Sequence, residues 1–122
     1  MISVLIVEDD AFIRDITTIK FSEHTYEVVA CASAEAALEA LDVRAFDVLL
    51  LDLDLPDMSG LELLKTVRAH AHGAATKVIV FSNSNDLELK HDVEKIGALG
   101  LFAKASTPYE ELFALIDSPT TI

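Results

Sequence analysis

The chain has 122 residues, 52% of them hydrophobic, which suits one packed domain and excludes a disordered or fibrous chain. Nine Lys and Arg face 21 Asp and Glu, a formal net charge of -12 that repels a nucleic-acid backbone and argues against direct DNA binding. No stretch reaches the roughly 18 apolar residues of a membrane span, Met1-Ile2-Ser3-Val4 lacks the basic start of a secretory signal, and Cys31 is the only cysteine, so the sequence places the protein in the cytoplasm, off the membrane and without an internal disulfide.

Val4 to Val7 is a short β-rich apolar run that ends in Glu8-Asp9-Asp10, and Ile13, Ile16, Ile19 and Lys20 then step round a helix beginning near Phe12. A second run, Val28 to Cys31, leads through Ala32 to Ser33, which is placed to cap a helix rich in Ala, Glu and Leu over 34–41. Val48 to Leu51 ends in Asp52, and Leu61, Leu64, Val67 and Arg68 follow at helical spacing. Val78 to Phe81 ends in Ser82-Asn83. Asn85 with Glu88 resembles a capping box for a helix carrying Leu89, Val93 and Ile96, which Gly97 stops. A weaker run from Leu99 to Ala103 ends in Lys104. Thr107 with Glu110 resembles a second capping box, with Pro108 at the first helical position. The last residues, from Asp117 onward, carry Pro119 and read as a tail.

The apolar runs are too short for helices and lack polar alternation, the pattern of strands buried on both faces of a parallel sheet. Five strands alternating with five helices give an α/β class, a doubly wound five-stranded parallel sheet with helices on both faces and right-handed crossovers. Such sheets bind ligands outside the carboxyl ends of their strands. The residues there are Glu8-Asp9-Asp10, Ala32-Ser33, Asp52, Ser82-Asn83 and Lys104.

Three carboxylates, Glu8, Asp9 and Asp52, brought within about 4–6 Å repel one another or raise their pKa values unless a hard divalent cation neutralises them. Mg2+ takes one or two carboxylates, waters and phosphate oxygens. Lys104 supplies a fixed positive charge, Ser82 a hydroxyl donor, and an aspartate can itself be a phosphoryl-accepting nucleophile. Each residue has a plainer reading: Asp9 or Asp10 as a helix cap, Asp52 as a loop acid, Ser82 as a turn hydroxyl, Lys104 as a solvated charge. Together these readings must coincide at one edge of one sheet. His24, His70, His72 and His91 lack metal-ligand spacing and are expected at the surface, Cys31 as a buried small hydrophobe, and Phe12, Phe21 and Phe46 as core filling.

Val7-Glu8-Asp9-Asp10, the segment Leu50 to Gly60 around Asp52, Ser82 at the fourth strand's end, and Gly97-Ala98-Leu99-Gly100 leading to Lys104 resemble the receiver domains of two-component response regulators. The resemblance implies a flavodoxin-like strand order 2-1-3-4-5, a receiver domain over 1–117 and a tail over 118–122. It implies that Asp52 accepts a phosphoryl group from a sensor histidine kinase or phosphotransfer protein. Mg2+ would be held by Glu8, Asp9, Asp52 and the main-chain carbonyl of Asp54, with Ser82 and Lys104 binding the transferred group. A downstream protein target would read the face made by the fourth helix, fifth strand and fifth helix. Catalysis would be limited to self-phosphorylation and autodephosphorylation, without enzymatic turnover.

Several positions depart from the family pattern. Leu101 stands where an aromatic is usual, with Phe102 expected on the opposite face. Asn83 replaces a small residue. Ala105 replaces a proline, so that peptide is expected to be trans. Asp54 and Ser84 occupy positions that tune water attack on the acyl phosphate. Two other readings remain open at this stage: a receiver-like scaffold that works without phosphorylation, and an aspartyl-phosphate phosphatase suggested by Asp52-Leu53-Asp54.

Overall fold

Side-chain alternation along the central strands divides the interior in two. The computed structural model describes residues 1–83 and 87–118. The elements run β1 (Ser3–Val7), α1 (Ala11–Glu23), β2 (Glu27–Cys31), α2 (Ala34–Val43), β3 (Val48–Leu51), α3 (Gly60–Ala69), β4 (Lys77–Ser82), α4 (Leu87–Lys95), β5 (Gly100–Ala103) and α5 (Tyr109–Asp117). Leu5, Val7, Leu49, Leu51, Val78 and Val80 point to one face, where they pack with Ala34, Ala37 and Leu41 of α2, Leu63, Leu64 and Val67 of α3, and Val93 of α4. Val4, Ile6, Val48, Leu50, Ile79 and Phe81 point to the other, against Phe21 of α1 and Leu112, Phe113 and Ile116 of α5. A strand apolar on both sides can only lie between two helical layers.

All strand pairs are parallel, in the order β2-β1-β3-β4-β5. The chain goes from β1 to one side for β2 and to the other for β3, so the crevice where connections diverge lies at the carboxyl ends of β1 and β3. Among the described residues, no helix is long and apolar enough to cross a membrane.

Local signals set most boundaries. Asp10, Ser33 and Ser59 cap α1, α2 and α3 by accepting the N–H groups of Ile13, Ala36 and Glu62. Gly97, at φ 98°, follows α4: its N–H reaches the Glu94 carbonyl, and the Ala98 N–H reaches the Val93 carbonyl. That paired pattern needs a left-handed residue, which glycine supplies without a Cβ clash.

Five expectations need correction. Phe12 is 73% exposed, because it sits on the outer side of α1 while Phe21 fills the core. The edge strand β2 is not buried on both faces, since Glu27, Val29 and Ala30 lie open to solvent on the sheet margin. Cys31 is only half-buried, its thiol donating to the Ile6 carbonyl. α5 begins after Pro108, with no side-chain cap. The Thr107 N–H is committed to the Ala103 carbonyl in the turn leaving β5, and the Pro108 carbonyl becomes the first acceptor. Asp117, which the sequence assigns to the tail, is the last residue of α5, and Asn85, Ser84 and tail residues 119–122 lie outside the described residues. Leu101 is buried in the α2–α4 core while Phe102 packs on the other side, as the pleat requires. The Lys104–Ala105 peptide is trans.

Gly60 allows the β3–α3 loop to close. Its N–H donates to the Leu53 carbonyl at 2.9 Å, and an added Cβ would strike Leu53 Cα and lie 3.0 Å from the Asp52 carbonyl oxygen. Alanine's helix preference of about 1 kcal/mol over glycine is therefore outweighed by backbone overlap. Gly60→Ala should destabilise the fold by roughly 1–3 kcal/mol, read as a lower urea midpoint; an unchanged or raised midpoint would show that the loop yields freely.

Candidate functional site

Adjacent strands deliver the acidic residues. The Asp52 N–H continues the ladder by donating to the Val7 carbonyl at 3.0 Å, which sets Asp52 beside Glu8 at the carboxyl end of the sheet. The Glu8 N–H donates in turn to Cys31 of β2. On the other side, Ser82 pairs with Ala103, and the Lys104 N–H donates to the Ser82 carbonyl at 2.9 Å. Sheet register alone thus puts Glu8, Asp52, Ser82 and Lys104 on one rim.

Glu8 and Asp52 are each 4% exposed and Ser82 is fully buried, whereas Asp9 is exposed. The Lys104 ammonium donates to Glu8 Oε1 and, at 3.0 Å, to Asp52 Oδ2. Glu8 Oε2 accepts the Asp10 N–H at 3.1 Å, and Asp52 Oδ1 accepts the Asp54 N–H at 3.1 Å. One oxygen from each of Glu8, Asp9 and Asp52 lies within 4.8 Å of the others. This donor set of hard oxygens suits Mg2+.

Burial pushes the Glu8 carboxyl up to about 7, against the pull of Lys104 and the Asp10 N–H; the neighbouring Asp52 carboxylate adds to the rise. Burial also works against the Lys104 ammonium, yet its bonds to Glu8 and Asp52 outweigh that and hold it above the ordinary lysine value. Buried like charges held by one cation are an unstable arrangement that a divalent ion relieves.

Asp54 turns its backbone N–H toward Asp52 while its carboxylate is exposed beside Asp9 on a shallow depression of about 580 Å3, which Pro56 and Asp57 also line. The Asp10 carboxylate is a helix cap, accepting the Ile13 N–H at 3.0 Å. Two residues of the rim were not legible as such. The Arg14 guanidinium donates to the Glu8 and Asp9 carbonyls at 3.1 and 3.4 Å, fixing the acidic loop from the first turn of α1. Asp57 accepts the N–H groups of Ala34 and Glu35, both at 3.0 Å, and so binds the β3–α3 loop to the start of α2. Arg14 bonds backbone carbonyls five and six residues before it, which no side-chain spacing announces; Asp57 has partners 22 and 23 residues away and no local signal.

A family model for the response regulator receiver domain matches residues 4–117. The chain is 30% identical over 101 residues to sporulation initiation phosphotransferase F of Bacillus subtilis, covering 83% of this chain and 80% of that protein. It is 30% identical over 100 residues to the cell cycle response regulator CtrA of Brucella ovis, where it covers 82% of this chain but 40% of the relative's length. The crystallised chemotaxis response regulator CheY4 of Vibrio cholerae superimposes with a TM-score of 0.85 at 30% identity, over 94% of this chain and 96% of that one.

The Glu8 shift has a consequence for stability. The unfolded carboxyl ionises near 4.5 and the native one near 7, so between these values the native state binds the extra proton. Glu8's contribution therefore favours the fold on the acidic side of the window and is lost as pH rises through about 7. In metal-free buffer the urea midpoint should drop between about pH 4.5 and about pH 7, and Glu8→Gln should flatten that drop. A slope that persists in the variant assigns it to another group.

Proposed function

This chain belongs to the response regulator receiver family of two-component signalling, and we propose that within it Asp52 is the phosphoacceptor. The family's receivers interact with histidine kinases or phosphotransfer proteins and with downstream effectors, and they bind Mg2+ at an acidic pocket. The observation that best supports the assignment is the Lys104 ammonium bridging buried Asp52 and Glu8, with Asp9 close enough to complete a cation site.

In the proposed reaction an Asp52 oxygen attacks the phosphorus of a phosphohistidine. The O–P bond forms as the P–N bond breaks, and the leaving imidazole keeps the electron pair and takes a proton. Phosphoryl transfer asks the protein mainly for positioning and charge neutralisation. The Asp54 N–H fixes one Asp52 oxygen and Lys104 the other. Glu8, Asp9, Asp52 and the Asp54 main-chain carbonyl would hold Mg2+, which neutralises charge developing on the phosphoryl oxygens. The Ser82 hydroxyl and Lys104 would then bind the transferred group, a gain of about one negative charge and three acceptor oxygens. Because the Lys104 N–H is bonded to the Ser82 carbonyl, pulling on either residue strains the ends of β4 and β5 together. The face of α4, β5 and α5 is the proposed readout, with a protein target, no nucleic-acid contact and a cytoplasmic location.

The test is Mg2+-dependent labelling by acetyl phosphate, read by intact mass. Wild type should gain about 80 Da, one phosphoryl group, and Asp52→Asn should gain none. Sustained hydrolysis of generic phosphate esters would favour a phosphatase instead. Partner binding unaltered in Asp52→Asn would favour a scaffold that ignores phosphorylation.

A further inference from the structure

We propose that Asp57 is a positioning residue for this phosphoacceptor site: by clamping the β3–α3 loop to the start of α2, it holds Asp52 and the Asp54 carbonyl in the geometry that binds Mg2+. The inference rests on the phosphoacceptor reading and names a residue that touches none of the reacting atoms.

The loop from Asp52 to Gly60 is shaped from within by short-range bonds. Asp52 Oδ1 accepts from Asp54, Asp54 and Ser59 form an isolated antiparallel bridge, and Gly60 donates to Leu53. These bonds fix its internal shape and leave its orientation to the rest of the molecule. Asp57 reaches outward and spends both carboxylate oxygens on α2, Oδ1 on the Ala34 N–H and Oδ2 on the Glu35 N–H. Those N–H groups belong to the first turn of a helix, where backbone donors lack intrahelical partners and the dipole favours negative charge. The two bonds hold the Asp57 carboxyl below its ordinary value.

The anchor is firm. Ala34, Ala37 and Leu41 of α2 are buried in the apolar cluster that α2 shares with β1 and α3, and Ser33 separately caps the helix through the Ala36 N–H. α2 therefore has its own cap, while Asp57 adds a connection between helix and loop. Two bonds from one carboxylate resist rotation as well as separation. An asparagine keeps the size but has one acceptor oxygen, and its NH2 group would face a backbone N–H.

The experiment compares wild type, Asp57→Asn and Ser33→Ala. Mg2+ binding is read by calorimetry, and acetyl-phosphate labelling is measured across Mg2+ concentrations. Metal-free amide exchange follows residues 53–59. Asp57→Asn should raise the Mg2+ dissociation constant and the half-saturating Mg2+ on the order of tenfold, with much smaller loss of labelling rate at saturating Mg2+ and faster exchange in the loop. Ser33→Ala should lower thermal stability with Mg2+ affinity and loop exchange unchanged. Wild-type Mg2+ affinity in a folded Asp57→Asn, or an equal Mg2+ shift in Ser33→Ala, reduces Asp57 to a helix cap and overturns the proposal. Failure of the underlying reading looks different: the wild type itself takes up neither Mg2+ nor a phosphoryl group, and the positioning role goes with it.

Discussion

Lys104 carries its ammonium into a buried cleft between the Glu8 and Asp52 carboxylates, and the carboxyl end of the sheet depends on that contact. Removing charges from water is expensive, and mutual attraction repays it only when geometry and further hydrogen bonds are good. Here the remaining carboxylate oxygens accept the N–H groups of Asp10 and Asp54. The balance is incomplete all the same: one ammonium serves two buried carboxylates, and Glu8 answers by holding its proton to about pH 7. A cleft built this way is stabilised by the rest of the fold, whose two apolar layers grip the central strands from both sides.

The register that makes this contact is carried by the backbone. Parallel strands β1 and β3 align Val7 with Leu51, so the next residue on each, Glu8 and Asp52, emerges at the same level. Strands β4 and β5 do the same for Ser82 and Lys104 one step further across the sheet. Loop clamps then fix what register leaves loose: Arg14 on the acidic loop, Asp57 on the β3–α3 loop, and the bare Cα of Gly60 where that loop closes on itself.

This division explains what could be read from sequence. Strands buried on both faces announce themselves as Val, Ile and Leu runs, and the residues after each run fall at the rim, so the places of Glu8, Asp9, Asp52, Ser82 and Lys104 are legible in the sequence. The strand order came with the family resemblance. The failures share a different cause. Phe12 is apolar but lies on the solvent side of α1, and helical periodicity read from Ile13, Ile16 and Ile19 did not exclude it from the core. The β2 run looks like its neighbours, yet its position on the sheet margin, a tertiary property, exposes Val29. Thr107 carries a good capping signature, but the preceding turn claims the N–H that a capping box gives to Glu110, and α5 begins one residue later, after Pro108. Asp57 has its partners across the fold, where no local pattern points.

The acid excess takes on meaning by the same reasoning. Counted together, the 21 acids describe only a repulsive, well-hydrated surface. What distinguishes individual carboxylates is where their oxygens go. Asp10 caps its own helix and Asp57 grips a distant one. Asp47 accepts the Ser3 N–H and hydroxyl and ties the start of β1 to the turn before β3. Asp117 joins His24 and Tyr26, linking the end of α5 to the end of α1. Each accepts a fixed donor apart from the other acids. Glu8, Asp9 and Asp52 differ because they converge on one another, and that convergence, more than the number of acids, is what marks the rim as a site for charge chemistry.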